Sequence, residues 1–262
     1  MIFYFSGTGN TKYLAERISE RMGERLVSIA DSLKNNETDF TAGKGESVGF
    51  VIPVYFSGVP KCVREFIGKM KLTTGGDNYT FTALSCGGNT ANAGKMLGKL
   101  LSEKGITVNA SYSMIMVDNY IPMFNIPSEE EANRMLEEIN PKIELLKEKI
   151  AEKKDGDFDD NKGAKIMTAL MYPFYKPFRK TKKFYANDKC ISCGKCADGC
   201  VDRAIEMKNG KPVWVKSECT QCYGVSTSVR QGRYSSERRP KSATGLSIRI
   251  PNFKQKNRGL SY

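Results

Sequence analysis

The chain has 262 residues, a formal net charge of +12 and no histidine. Without His it lacks the commonest general base of proteins, which excludes hydrolases that depend on a His-containing triad. The length allows one substantial core and a small additional module. No apolar run approaches the roughly 18 residues of a membrane span.

The N-terminus and the cysteines indicate a reducing compartment. The first residues, MIFYFSGTGNT, carry neither a basic region nor a cleavage site, so we expect no signal peptide and a cytoplasmic protein. A cytoplasmic chain keeps its thiols reduced, and its eight Cys are then better read as ligands than as disulfides.

Residues 1–150 alternate strand and helix signals. Apolar and β-branched runs predict five strands, at 1–5, 25–29, 47–55, 79–85 and 106–117. Apolar residues at helical spacing predict helices at 11–23, 60–70, 91–105 and 128–153, the last with Ser128 as its N-cap. This alternation predicts an α/β fold, a doubly wound five-stranded parallel sheet with helices on both faces.

The loop at residues 6–11, SGTGNT, joins the first strand to the first helix. Small residues let its backbone wrap closely around a ligand, and the helix start adds free N–H groups and the positive end of its dipole. These features predict a phosphate site. The loop matches neither the Walker A pattern nor the G-x-G-x-x-G dinucleotide fingerprint.

The same loop resembles the S-x-T-G-N-T phosphate loop of flavodoxins, and residues 1–150 resemble a flavodoxin domain that binds FMN. Two further loops follow strands, as in that family: PVYFSGVP from residue 53 and SCGGNTA from residue 85. They resemble the loops beside the isoalloxazine, where Tyr55 and Phe56 could stack. The resemblance implies this FMN site: Ser6, Gly7, Thr8, Gly9, Asn10, Thr11, Pro53, Val54, Tyr55, Phe56, Ser57, Gly58, Ser85, Cys86, Gly87, Gly88, Asn119 and Tyr120.

A joint at residues 151–186 follows, first polar and then basic and aromatic. Its second half, KIMTALMYPFYKPFRKTKKFY, favours a segment packed between two modules. A contact with a partner or with a membrane surface is the alternative.

Residues 187–224 carry a metal-ligand pattern. Cys190, Cys193, Cys196 and Cys200 have the C-x2-C-x2-C-x3-C spacing of bacterial ferredoxins. Thiolates at this spacing favour a [4Fe–4S] cluster over structural zinc. A hairpin around Asn209-Gly210 is predicted next, and Cys219 and Cys222 then open a second run. The resemblance to two-cluster ferredoxins implies a small α+β domain in which Cys200, Cys219 and Cys222 serve the second cluster.

The second run stops where its third Cys should stand, at Val225, and no Cys follows. One T inserted between the codons of Gly224 and Val225 turns the Val codon into a Cys codon. With permitted codons, the next residues then read Cys-Leu-His-Val-Cys-Pro-Ala-Gly-Ala-Ile, which completes the run. A one-base deletion is therefore our hypothesis, and a genuinely diverged tail is the alternative.

The hypothesis makes residues 225–262 a basic, poorly ordered tail. Nine Lys and Arg and a single acid, Glu237, lie there, so much of the net charge is local. The charge therefore does not by itself indicate a nucleic-acid-binding protein.

The order of modules resembles flavodoxin–ferredoxin fusion proteins, which implies electron transfer between FMN and [4Fe–4S] clusters, with redox proteins as partners. No residue stands out as acid, base or nucleophile, so an electron carrier is favoured over a stand-alone enzyme. A flavin-dependent reductase of a small acceptor such as a quinone is one alternative. Binding of nucleic acid or a membrane surface through the basic tail is another.

Overall fold

The computed structural model describes residues 1–117, 128–186, 190–225 and 234–236, the last stretch in its backbone only. The helices are α1 (Asn10–Met22), α2 (Ile29–Asn35), α3 (Lys61–Lys69), α4 (Ala93–Ser102), α5 (Glu129–Ala151), α6 (Ile166–Phe178) and α7 (Lys195–Asp198). The strands are β1 (Ile2–Tyr4), β2 (Leu26–Ser28), β3 (Asp39–Ala42), β4 (Val48–Pro53), β5 (Lys71–Thr74), β6 (Thr80–Cys86), β7 (Ala110–Ile115), β8 (Gly156–Phe158), β9 (Phe184–Ala186), β10 (Ile205–Lys208), β11 (Lys211–Trp214) and β12 (Tyr234–Ser236).

Within these ranges, six strands form one parallel sheet in the order β2-β1-β4-β6-β7-β8. The first five strands of this order are those predicted from the sequence. The prediction of a five-stranded sheet is wrong, because β8 adds a sixth strand at its edge. Strand β8 pairs only with β7 and can stay polar, because an edge strand has one neighbour. Its Phe158 ring stacks on Tyr112 with centroids 5.3 Å apart.

The sheet is buried on both faces, which explains why its central strands read as continuous apolar runs. Strand β6 is buried throughout. On one face Phe3 packs against Phe50 and Phe66, with ring centroids 5.1 and 5.5 Å apart. On the other face Leu14 and Ile143 belong to a second apolar cluster. The two layers hold the strand ends, and hence the loops that follow them, in fixed positions.

Local signals account for several helix ends. Helix α1 ends at Gly23, whose φ of 67° is left-handed and therefore suits glycine. Helix α5 begins with a capping box, in which Ser128 Oγ accepts from Glu131 N at 3.2 Å and Ser128 N donates back to the Glu131 carboxylate at 2.8 Å. The predicted N-cap is confirmed. Helix α2 and the small parallel pair β3–β5 had no prediction.

The cysteine-rich stretch contains the short helix α7 and the antiparallel pair β10–β11. Asn209 and Gly210 at its turn have φ of 49° and 73°, as a two-residue hairpin requires, and the predicted hairpin is confirmed. Strand β9 pairs with β12 in its backbone. The prediction of a poorly ordered tail concerns residues that, apart from Val225 and β12, lie outside the described ranges.

None of the helices in the described part of the chain combines the length and the apolar character that a bilayer-crossing segment needs.

Candidate functional site

A cavity of about 480 Å³ lies at the carboxyl ends of the central strands, where open α/β sheets bind ligands. The three loops predicted to bind flavin line it together with helix α6 and the segment around Cys222. Its lining residues are Gly7, Thr8, Asn10, Thr11, Pro53, Val54, Tyr55, Phe56, Ser57, Ser85, Cys86, Gly87, Gly88, Asn89, Met116, Val117, Met167, Met171, Tyr175, Gln221, Cys222 and Tyr223.

The first loop leaves the start of α1 open to an anion. Gly9 at the N-cap has a φ of 112°, and no side chain caps the helix. Ser6 Oγ accepts from Gly9 N at 3.1 Å, which tightens the turn. The first turn contains no acid. The uncapped N–H groups and the dipole therefore suit a phosphate group.

Two side chains of α1 tie this loop to its neighbours. Asn10 Nδ2 donates to the carbonyl of Val117 at 2.6 Å, just beyond β7. The hydroxyls of Thr11 and Ser85 lie 2.7 Å apart and are buried. The loop is thus connected to the end of β7 and to the third loop before any ligand binds.

The second loop turns sharply at residues 55–58. Tyr55 N donates to the Gly58 carbonyl at 2.9 Å and Gly58 N donates back at 3.0 Å. Phe56 and Ser57 between them have φ of 49° and 60°, a left-handed backbone that costs energy for residues with a side chain. Such strain is common at ligand sites.

Helix α6 holds this turn in place. The Thr168 hydroxyl donates to the Ser57 carbonyl at 2.6 Å and accepts from Asn92 N at 2.9 Å, so it joins the second loop to the start of α4. The Phe56 ring stacks on Tyr175 with centroids 5.4 Å apart. The predicted joint, which contains α6, therefore forms one wall of the cavity. The sequence did not predict this.

Replacing Gly58 with Ala should lower stability by about 1–3 kcal/mol. A Cβ at this position would lie 2.2 Å from the Tyr172 ring of α6, so the helix and the turn would have to separate. The control is Gly68→Ala, on the exposed side of α3 with open space around the new Cβ, which should stabilise by about 0.5–1 kcal/mol. Chemical denaturation measures both. Equal effects of the two changes would contradict the close packing of α6.

The third loop is supported from behind by the segment after β8. The Thr90 hydroxyl donates to the buried Asp159 carboxylate at 2.6 Å, and Thr90 N donates to the Asn161 carbonyl at 3.0 Å. Ser113 of β7 also donates to Asp159. These contacts explain why a polar stretch lies against the sheet: its carboxylate is satisfied by hydroxyl and amide donors.

The cysteine-rich stretch reaches the same cavity. Cys222 lines it and its carbonyl lies against Gly7, where even a single Cβ would come within 2.1 Å. The buried Tyr175 hydroxyl donates to the Thr220 carbonyl at 2.7 Å and accepts from Lys61 N at 3.2 Å. The loop after β1, α3, α6 and residues 219–222 are therefore in contact.

An ion pair fixes that junction. The Asp202 carboxylate is almost fully buried and accepts from Lys61 Nζ at 2.9 Å. It also accepts from the backbone N–H of Thr220 at 2.5 Å. A buried carboxylate is stable only when it is paired and hydrogen-bonded in this way. The pair thus joins α3 directly to the cysteine-rich stretch.

Neither of the two predicted three-cysteine ligand sets forms a metal-binding group in the described ranges. Cys196 and Cys200 are buried in a small apolar cluster with Ala204 and Ile205, against which Cys219 and Val225 pack. Within the described ranges, no three His, Cys, Asp or Glu side chains are placed to hold a metal ion. Burial raises the pKa of Cys219 and of Cys222 to about 12, so without a metal ion both stay neutral thiols near pH 7.

Most residues of the predicted FMN site line the cavity. Ser6, Gly9 and Gly58 shape its loops without lining it, and Asn119 and Tyr120 lie outside the described residues. The sequence did not predict part of the lining. Most of these residues are distant in the chain from the three loops and carry no local signal, whereas Asn89 belongs to the third loop but was not among the predicted site residues. The missed residues are Asn89, Met116, Val117, Met167, Met171, Tyr175, Gln221, Cys222 (predicted only as a metal ligand) and Tyr223.

Comparison with known proteins identifies the N-terminal part. Residues 1–107 match the family described as flavodoxin domain, and this part of the chain is a flavodoxin-like domain. No curated protein sequence matches the chain.

Three solved structures show a limited similarity to this chain, each with a TM-score below 0.5. The Trp repressor binding protein from Bacillus subtilis is 14% identical with a TM-score of 0.32, over 44% of this chain and 84% of that one. The rubredoxin oxygen:oxidoreductase from Desulfovibrio gigas is 18% identical with a TM-score of 0.32, over 57% and 36%. The azoreductase AzrA is 11% identical with a TM-score of 0.34, over 56% and 99%.

Proposed function

We propose that this chain, with its flavodoxin-like N-terminal part, is an electron carrier that binds FMN in the cavity and exchanges electrons with [4Fe–4S] clusters bound by its cysteine-rich stretch. The observation that carries the proposal is the convergence of the phosphate loop and Cys222 on one cavity. Electron transfer requires redox groups to be close together, and this junction would bring them close.

The chain's own residues fit FMN. The uncapped start of α1 would hold the 5′-phosphate without any Lys or Arg. Tyr55 and Phe56 would border the flavin ring, with Phe56 held by its stacking on Tyr175. Burial raises the pKa of Tyr55 and of Tyr175 further above their ordinary value, so both hydroxyls stay protonated even in alkaline buffer. Bound FMN would supply interconversion of one- and two-electron steps.

The cysteines of this stretch have the thiol chemistry and the spacing that clusters need, but they number only six and are not arranged around a metal ion in the described residues. Cys190, Cys193 and Cys196 would bind one cluster, and Cys200, Cys219 and Cys222 the other. Backbone N–H groups of Ala204 and Gln221 already point at the sulfurs of Cys200 and Cys219, at 3.3 and 3.4 Å, as around cluster thiolates. Three thiolates per cluster would leave each one incomplete. Re-sequencing the gene at codons 222–226 would test the deletion hypothesis.

Reconstitution of the folded apoprotein tests the flavin part. We expect one FMN per chain, measured by absorbance after gel filtration, and no comparable retention of FAD, since the described residues contain a single phosphate cradle, at the start of α1. Riboflavin, which has no phosphate, is the matched control and should bind far more weakly. A folded protein that stays colourless with FMN would refute the proposal. Turnover with NAD(P)H and a quinone would instead indicate a reductase.

A further inference from the structure

We propose that the outer face of α6 docks the protein onto an anionic lipid surface. This outer face consists of Ile166, Ala169, Leu170, Pro173, Phe174 and Pro177, all exposed. The three largest of these residues are strongly exposed to solvent, with 64% of Ile166, 59% of Leu170 and 56% of Phe174 exposed.

The opposite side of the same helix is already used. Thr168, Tyr172 and Tyr175 bind the second loop and the cysteine-rich stretch, and Met167 and Met171 line the cavity. Apart from its ends, α6 is therefore apolar almost all round. A helix of this kind is expected to be covered on every side, and the residues that the structure describes cover only its inner side.

Cations predominate around the outer face. Residues 161–186 contain seven Lys and Arg and no acid. Three of the seven form ion pairs with acids of other segments, Lys162 with Asp157 and both Arg179 and Lys180 with Glu218. Among the cations, Lys165 precedes the outer face, Lys176 lies at its end and Lys182 follows it, all exposed. A groove between α4 and α6 adds Lys95 and Lys99 beside Ala169 and Pro173. An apolar strip bordered by flexible cations is the pattern of a segment that lies in the headgroup region of anionic lipid.

The chemistry of the outer face favours lipid over a protein partner. Its side chains offer no hydrogen-bonding group, whereas a protein interface ordinarily pairs polar groups around its apolar centre. Pro173 and Pro177 have no N–H, so the carbonyls of Ala169 and Pro173 lose their helical donors. These carbonyls need water, which sets a shallow position in the headgroup region, and the 13-residue helix offers a contact about 20 Å long.

Co-sedimentation of the full chain with vesicles tests the proposal. The protein should pellet with vesicles of phosphatidylcholine and phosphatidylglycerol, and much less with phosphatidylcholine alone. Ile166→Ser/Leu170→Ser/Phe174→Ser should reduce partitioning at least about tenfold, because it removes the apolar contact. The matched control is Leu145→Ser, on α5 with the side chain 67% exposed, which should partition like the wild type. Higher salt should weaken binding.

Several outcomes would overturn it. Absence of binding to anionic vesicles would do so, and equal binding to neutral vesicles would remove the role of charge. Unchanged binding of the triple variant would assign the interaction to residues 225–262. Apolar-dependent dimerisation without lipid, seen by analytical ultracentrifugation, would make a second copy the occupant. Circular dichroism shows whether the triple variant folds. If it does not, the variant Lys165→Gln/Lys176→Gln/Lys182→Gln tests the proposal instead. It changes only exposed side chains and should also weaken binding to anionic vesicles.

Discussion

Replacing Asn10 with Asp should weaken FMN binding by about a hundredfold or more, which corresponds to at least about 2.7 kcal/mol. Two effects add. The new carboxylate would stand at the start of α1, beside the phosphate, and like charges at this range repel strongly in a partly enclosed site. It would also face the Val117 carbonyl, to which the Asn10 amide now donates at 2.6 Å, with no proton to share.

Two comparisons separate these effects. Asn10→Ala loses the hydrogen bond without adding charge and should cost only about tenfold. Asn36→Asp adds the same charge at an exposed left-handed position at the end of α2, far from the cavity, and should leave FMN affinity unchanged. Titration followed by flavin fluorescence measures all three. If the Asp and Ala variants bind FMN equally, the phosphate does not lie at the start of α1.

The second large effect concerns Val225, which stands where the third Cys of the second run would be. It packs against the apolar cluster that contains Cys200 and Cys196, so a thiol there would join the cysteines proposed for the second cluster. Val225→Cys should therefore raise iron and acid-labile sulfide after anaerobic reconstitution, by up to about four iron atoms per chain. Combining this change with Val229→Cys, at a position outside the described residues, should raise the iron and sulfide content further.

Serine provides the control, since Val225→Ser has a similar size but is a weak iron ligand. It should leave the iron content at the level of the unmodified chain. Because metal binding and folding are coupled in so small a stretch, the fluorescence of Trp214, the chain's single tryptophan, should report its ordering. An unmodified protein that already holds close to eight irons per chain would show that the missing cysteines do not matter.

The elements predicted correctly are those with a signal in a few neighbouring residues. The apolar run of β1, the small residues of the loop after it and the periodicity of α1 place this strand–loop–helix unit without any structure. The hairpin at Asn209-Gly210 has the same origin, because only a few residues tolerate its left-handed backbone. The cavity loops follow strands of a parallel sheet, so their meeting could also be predicted.

The elements that were missed have no such local signal. Strand β8 is a polar edge strand that a single aromatic contact and backbone pairing hold to β7. The sequence of α6 is apolar and contains two prolines. Neighbouring residues in the chain do not indicate which of its faces is buried. Its position depends on Tyr172 and Tyr175 meeting loops more than a hundred residues earlier in the chain.

By itself, the sequence determined the strands of the α/β sheet, the small-residue loop after β1 and the spacing of the cysteines, because each depends on residues close together in the chain. Only the tertiary structure decided that Cys222 reaches the cavity, that Lys61 and Asp202 join α3 to the cysteine-rich stretch, and that α6 forms one cavity wall while its other face is exposed. The physical reason is that these contacts join residues distant in sequence. Such contacts form only when the sheet has brought both partners to the same end, and no local preference encodes them.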